Sequence, residues 1–475
     1  MTEITFIAPE YQPDRTFRST HYAFRGGPAV GWTVLREGET WLSLGPGYEA
    51  LPTRYCGICA TDLARHQLPF ALPQITGHEV VAEYAGKPSV VEINASHIAI
   101  GHAVADCPWC RSGNDIHCPA RLTLGIDRLP GGFAPWVLAP VNGIHTLPAS
   151  LEPIAGVLIE PFAAALKAVE VSRPEPGDEV AVLGPRRLGM LLLAALAAHR
   201  RQANGSYTIT AVVRHAHLAS TCRRVGADKV LVIDAETKPT QQFDIVYDTT
   251  GKVAGFESAL ALSRGTVHLK STHGQVVQGL HHLTDMVINE QALQGWNTHS
   301  AQDALAREKS VSLYVSPRVP AAHFQSTAAG IYQGEAADML RKLQQDQQAA
   351  ADTVLPLFDA ALVSSPAEAD EVLRCRAVPG GTLIKPLGTI YMLPDKEQTD
   401  TALGVALHQR GIRIAGSRCG SFRRAIDLLE RDRQTALLLN ECFISHEFPL
   451  GEIGGAFELA ADSRESNKVV ISTGR

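Results

Sequence analysis

GDEVAVLGPRRLGMLLLAALAA, residues 177–198, decides the fold: a short apolar strand runs into a glycine turn and then an apolar helix. A helix starting at such a turn offers unpaired backbone N–H groups and the positive end of its dipole, where a dinucleotide pyrophosphate can sit. On the G-x-G-x-x-G pattern Gly184 is the first glycine and Gly189 the third, while Arg186 replaces the second, which normally lets backbone approach the phosphates. Arg186 or Arg187, with Leu188 in the same turn, could add a direct phosphate contact or form a solvated pair of charges.

Working outward, YTITAVVRH (207–215), GADKVLVID (226–234), FDIVYDTTG (243–251) and GTVHLKST (265–272) continue the alternation of strands and helices. That alternation predicts an α/β domain with a doubly wound parallel sheet of the Rossmann type, whose ligands bind at the carboxyl ends of the strands. Thr249 and Thr250 stand at such an end. Arg214 closes the second strand, where an acidic residue would accept from the ribose 2′-hydroxyl of NAD. A guanidinium there would instead pair with the 2′-phosphate of NADP, so NADP is the favoured cofactor and NAD the alternative.

Upstream lie YCGICATD (55–62), ITGHEVVAEYAG (75–86) and LIEPFAAALKAV (158–169), which bring Cys59, His78, Glu79 and Glu160. Zinc takes thiolate, imidazole and carboxylate ligands in a tetrahedron, and a catalytic site leaves one position for water or substrate. A buried cysteine by itself usually only packs. Four such residues in this order make the stronger case for a metal site.

These phrases resemble the zinc-dependent medium-chain dehydrogenase/reductase family of alcohol, polyol, sugar and threonine dehydrogenases, over residues 40–275 and 405–475. The resemblance implies a GroES-like, β-rich catalytic domain beside the Rossmann-type domain. It implies Cys59 and His78 as zinc ligands, Glu79 as a ligand or a neighbour of one, and Glu160 as the carboxylate ligand of the polyol and threonine branch. It casts Thr61 as the hydroxyl that passes the substrate proton toward solvent, and Asp62 as the carboxylate that orients a ligand. GHAVADCPWCRSGNDIHC (101–118) resembles the family's structural zinc lobe, with Val104 at the first cysteine position and Cys107, Cys110 and Cys118 at the others. Structural zinc takes four closed ligands, so these thiols need Asp106, His102 or His117, or the lobe holds no metal.

After Thr272 the chain spends well over a hundred residues before GIRIAGSRCG (411–420), read as the last sheet strand. Within this insertion GEAADMLRKLQQDQQAAADT (334–353) predicts a partly exposed helix. LFDAALVSSPAEADEVLRCRAVPGGTLIKPLGT (357–389) repeats the pattern of residues 243–272, which suggests a duplicated strand-helix-strand unit, as a longer sheet or a small extra lobe. The expected domains are therefore residues 1–165, completed by 411–475, and residues 166–410, with the insertion at about 273–390.

At 475 residues the chain exceeds one ordinary core, and a 45% hydrophobic content suffices for two. A net charge of −6 without a basic stripe disfavours nucleic acid. The N-terminus lacks a secretory pattern, and LGMLLLAALAA (188–198) is too short to span a bilayer, so a cytoplasmic protein without membrane attachment is expected. Nine cysteines, an odd number, fit metal binding better than a disulfide framework. The resemblance implies hydride transfer between an alcohol of polyol, sugar or hydroxy amino acid type and NADP(H), in a homodimer or homotetramer. The alternatives are a redox-neutral epimerase or lyase that retains its nicotinamide, and a non-catalytic binding protein on a decayed dehydrogenase frame.

Overall fold

The computed structural model describes residues 2–102, 107–203, 205–233, 241–271, 274–296, 305, 311–325, 330–350, 357–374, 382–394, 400–462 and 466–474. The chain divides into two units, Met1–Ala163 with Cys419–Arg475, and Ala164–Arg418.

The first unit opens on an antiparallel meander of β1 (Thr2–Tyr11), β2 (Phe17–Gly27), β3 (Gly31–Arg36) and β4 (Glu39–Leu44). Alternation makes it half-buried: Phe6 and Ala8 face inward while Ile7 is exposed. Glu10 is buried within it, and its carboxylate accepts from Arg36, Thr20 and the Tyr22 hydroxyl. A buried charge persists only with such partners.

A second sheet follows, from β5 (Tyr48–Ile58), β6 (Glu79–Tyr84) and β7 (Lys87–Val91), with the short pair β8 (Asn94–Ala95) and β9 (Leu122–Thr123) set apart. β10 (Trp136–Pro140) and β11 (Ile144–Thr146) complete this part. β5 is its spine, pairing near its start with β10, Pro52 opposite Trp136, and at its end with β6, Gly57 opposite Glu79. A Cβ at Gly57 would lie 2.1 Å from Oε2 of Glu79, so only glycine lets that carboxylate cross the strand.

The second unit is built on one eleven-stranded sheet. Its strands are β12 (Glu179–Leu183), β13 (Thr208–Val213), β14 (Lys229–Val232), β15 (Phe243–Asp248), β16 (Ser263–Leu269) and β17 (Ala292–Gly295). β18 (Ser312–Val315), β19 (Gly330–Gln333), β20 (Phe358–Val363), β21 (Ile384–Met392) and β22 (Arg413–Gly416) follow. The spatial order is β14-β13-β12-β15-β16-β22-β17-β21-β20-β18-β19, and every described pairing is parallel except β17 with β22. Parallel strands are covered on both faces, which is why Val180 to Leu183 are all buried and why helix Arg187–Gln202 buries ten consecutive residues from Gly189 to Ala198.

The insertion extends this sheet, and its order β19-β18-β20-β21 repeats β13-β12-β15-β16. FDIVYD leads through helix Val253–Leu262 to β16, and FDAALV through helix Pro366–Leu373 to β21. Helix Ala336–Ala350 lies in the insertion as well. His281 and His282 are held by Asp370 and Asp285, whereas His273 and His299 lie outside the described residues.

The chain then returns to the first unit with β23 (Ile444–Pro449), helix Ile453–Ala461 and β24 (Lys468–Ser472). β24 lies between β5 and β23, Val470 opposite Gly57. Phe457 of the helix meets Tyr11, Phe17 and Phe133, uniting the N-terminal meander with the closing segment. Among the described residues no helix is long and apolar enough to cross a membrane.

Asp248 ends β15 in a buried position, its Oδ1 accepting from the Thr250 backbone (2.8 Å) and hydroxyl (2.6 Å). Burial outweighs these bonds and pushes its pKa from 3.8 up to about 6. The folded state thus holds this proton more tightly than the unfolded one. The contribution is full below about pH 4 and is lost as pH rises through about 6, with a ceiling of about 3 kcal/mol. In urea titrations Asp248→Asn is expected to gain stability over the parent chain as pH goes from 5 to 7; a difference that does not change with pH would contradict this.

Candidate functional site

Cys59 caps the short helix Ala60–Leu63 at the end of β5. Its Sγ accepts from the Thr61 backbone N–H at 3.1 Å, and its own N–H donates to Asp62 Oδ2 at 2.9 Å, a reciprocal capping box with cysteine in the serine role. Asp62, buried, also accepts from the Gly77 N–H at 3.2 Å. Gly77 has φ +93, and a Cβ there would press on Cys56 and Phe133, so this turn sets the position of His78.

The His78 ring lies between the two partners, Nε2 3.2 Å from Cys59 Sγ and Nδ1 3.6 Å from Asp62 Oδ1. Burial alone would depress the His78 pKa, but the negative charges of Cys59 and Asp62 outweigh it and hold it well above the usual value. Burial raises the Cys59 thiol, only partly offset by His78. For Asp62, burial is outweighed by His78 and the Cys59 N–H, so its carboxyl lies below the usual range. Cys59, Asp62 and His78 bring donor atoms within 4.8 Å of one another. His78 Nδ1 is buried and has no hydrogen bond of good geometry. A soft thiolate with an imidazole, its far nitrogen turned toward a carboxylate, is a donor set that suits zinc.

Two expected ligands stand apart from this group. Glu79 accepts from Lys468 Nζ with both oxygens, at 2.6 and 2.5 Å, so its lone pairs are committed to that ammonium. Glu160, in the first turn of helix Ile159–Ser172, also lies outside the donor group and contributes to the negative field that helps raise the Lys468 pKa. Lys468 is buried and donates in addition to the Ile58 carbonyl at 3.3 Å, immediately before Cys59. No reading of the sequence singled it out, because a lysine heading the apolar run VVIS looks like an ordinary solvated one.

In the second lobe Cys107, Cys110 and Cys118 are buried and close together, and the fourth residue of that group is His97. Of the expected helpers, His102 faces the Pro46 carbonyl at 3.1 Å and His117 packs on Trp109, while Asp106 and Val104 lie outside the described residues.

In the second unit Gly184 has φ +69, and a Cβ there would meet Thr250 at 2.6 Å; a Cβ at Gly189 would meet the Thr249 hydroxyl at 2.6 Å. The two glycines thus let helix Arg187–Gln202 start close against β15. Thr249 donates to the Leu183 and Gly184 carbonyls at 3.0 and 3.2 Å, and Thr250 to Asp248, so both hydroxyls brace the crevice. Arg186 is the N-cap residue and is exposed, Arg187 and Leu188 open the helix, and Arg214 is exposed directly after β13.

One unit is β-rich and holds a Cys-His-Asp cluster, and the other holds a parallel sheet with a glycine turn. Residues 45–149 match the alcohol dehydrogenase GroES-like domain. L-galactonate-5-dehydrogenase of Escherichia coli is 34% identical over 175 residues, which cover 34% of this chain and 49% of that protein. A protein named probable alcohol dehydrogenase in Mycobacterium tuberculosis is 29% identical over 296 residues, 56% of this chain and 79% of that one. Matches to several curated relatives span only about half to two thirds of the relative's length, 49%, 63% and 65% in three of them. L-idonate 5-dehydrogenase of Escherichia coli shares the fold with TM-score 0.55 at 14% identity, over 99% of both chains. A protein described as a zinc-binding dehydrogenase of Sinorhizobium meliloti, solved with NADP, gives 0.53 at 18% identity, again over 99% of both. Residues 45–149 thus carry a GroES-like domain of the alcohol dehydrogenase kind, and the chain is similar in sequence and fold to medium-chain dehydrogenases.

Removing one partner of a buried ion pair costs about 3–5 kcal/mol, because the other charge is left uncompensated. Lys468→Met is expected to lose stability on that scale in urea unfolding, and Glu79→Gln with Lys468→Met to recover more than half of it; additive losses would show that the pair is not coupled.

Proposed function

We propose that this chain is a zinc-dependent oxidoreductase that transfers hydride between a hydroxyl of a polyol, sugar or hydroxy amino acid and NADP(H). The observation that carries the reading is the His78 ring held between the Cys59 thiol and the Asp62 carboxylate. Zinc bound there would supply the Lewis acidity that lowers the pKa of a substrate hydroxyl, and the nicotinamide the hydride chemistry. Cys59 and His78 are the proposed ligands, and Asp62 holds the imidazole in the tautomer that leaves Nε2 free to bind metal. Glu79, neutralised by Lys468, anchors the strand that carries His78. Thr61, half-buried beside Cys59, is the proposed proton relay, and Glu160, outside the Cys59-Asp62-His78 group, a proposed further carboxylate ligand.

For the second unit we propose dinucleotide binding at Gly184, Arg186, Arg187, Leu188, Gly189, Thr249 and Thr250, with Arg214 on the 2′-phosphate. The substrate class draws support from relatives named for L-galactonate, D-arabitol phosphate and sorbitol. A homo-oligomer fits the family.

The test is to count zinc in the purified protein, titrate it with NADPH and NADH, and assay a panel of polyols and sugar acids for stoichiometric cofactor reduction. Turnover without net cofactor reduction would replace this reading with a redox-neutral one, and absence of both zinc and nucleotide binding would replace it with a binding protein. Asp62→Asn is expected to lower zinc affinity or turnover by about 10–100-fold. Arg214→Ala is expected to weaken NADPH by about 10–100-fold, the worth of a charged hydrogen bond, and to leave NADH within a few-fold; equal losses for both would remove Arg214 from the site.

A further inference from the structure

The resemblance that points to a structural zinc lobe leaves it one ligand short, because Val104 stands at the first cysteine position. We propose that His97, ten residues before Cys107 and outside the cysteine loop, is the fourth ligand through Nδ1, making the lobe a closed three-cysteine, one-histidine zinc site.

His97 Nδ1 lies 3.6 Å from Cys118 Sγ, and the donor atoms of His97, Cys107, Cys110 and Cys118 are all within 4.8 Å of one another. Zinc–sulfur and zinc–nitrogen bonds of about 2.3 and 2.0–2.1 Å at a tetrahedral angle put the two donor atoms about 3.6 Å apart. The histidine and Cys118 already stand at that separation.

The three thiols are enclosed, and those of Cys107 and Cys110 are held by neighbouring backbone. The three cysteines are 3%, 2% and 0% exposed, and none is in a disulfide. Cys107 Sγ accepts from the backbone N–H groups of Cys110 and Trp109, in the single helical turn Pro108–Arg111. Cys110 Sγ accepts from the N–H of Ile98, so the turn that offers the imidazole also donates to a thiol. This turn is fastened to the lobe. Ser96 Oγ donates to Asp115 Oδ2 at 2.7 Å and accepts from the Ala99 N–H at 3.2 Å, and the His97 carbonyl accepts from the His102 N–H at 2.9 Å. Histidine in place of a fourth thiolate makes the metal centre less negative by one charge. It also ties the segment after β8 to the cysteine loop through the metal, where a four-cysteine lobe would close on the loop alone.

The experiment compares the full-length protein with His97→Ala, His97→Cys and His117→Ala. It uses zinc analysis after dialysis against a weak chelator, zinc-edge absorption spectroscopy, and the absorption of cobalt-substituted protein. The lobe's occupancy does not depend on the proposed function, and Cys59→Ala removes the other site, so the spectra of that variant report the lobe alone. The expected result is a sulfur-rich shell with one nitrogen in the Cys59→Ala variant. His97→Ala should lose lobe zinc at least about 10-fold faster, His97→Cys should retain zinc with an all-sulfur shell, and His117→Ala should behave as the parent. Retention of lobe zinc with an unchanged spectrum in His97→Ala would overturn the proposal, as would a lobe that takes up no zinc. If His97→Ala fails to fold, the count of one nitrogen in the Cys59→Ala protein decides.

Discussion

Glu79 and Lys468 lie 389 positions apart and form an ion pair in the interior, with the ammonium also on the Ile58 carbonyl. A buried pair of charges holds only while both partners are present and their remaining hydrogen-bonding capacity is met. Here that requires Gly57, which clears space for the carboxylate, and the register that sets Gly57 opposite both Glu79 and Val470. β24 therefore has to return beside β5 before the interior is electrically neutral. Cys59 follows Ile58 and His78 precedes Glu79, so the two ends of the chain fix the separation of the thiol and the imidazole.

What this anchor supports is a second, smaller device. The capping box of Cys59 and Asp62 spends one carboxylate on three tasks: it caps a helical turn, receives the Gly77 N–H and faces His78 Nδ1. Each bond restrains the others. Turning the imidazole away would leave the buried Asp62 carboxylate with its two backbone donors and without the facing ring, which in a low-dielectric interior is costly.

Cys59 and His78 could be picked out because a thiol and an imidazole in that order suggest a metal site, Asp62 only through the family resemblance, and the glycine turn at 184–189 because an apolar strand and helix flank it. Lys468 was not, since one lysine at a strand start is indistinguishable from a solvated one until the strand's neighbours are known. His97 escaped for a related reason. The missing ligand was sought among Asp106, His102 and His117, close to the cysteines along the chain, whereas a turn after β8 delivers it. Glu160 was read by analogy alone, and the described geometry leaves it outside the donor group. The meander of residues 2–44 has the alternation of antiparallel strands but no motif, so nothing marked it out. The parallel units were visible in their Val- and Ile-rich runs. The antiparallel join of β17 to β22 was not, because composition does not encode strand direction.

That join divides the long sheet into two halves with the same strand order, and the halves treat the same position differently. β12 leads into Gly184, Pro185 and Arg186; β18, its topological counterpart, leads into Ser316, Pro317 and Arg318. In the first half glycine at φ +69 lets a sixteen-residue helix begin against β15, and backbone N–H groups collect at its start. In the second half Ser316 is buried, and among the described residues before β19 the short turn Ala321–His323 follows. The Gln333 amide donates to the carbonyls of Ser316 and Val319, and Glu368 takes the Ser364 N–H and hydroxyl at 2.7 and 2.8 Å. The Ser364 N–H and hydroxyl are donors that an anion could use, and the Glu368 carboxylate already takes them. The repeated half is therefore filled by its own side chains at the position where the first half has the turn at Gly184.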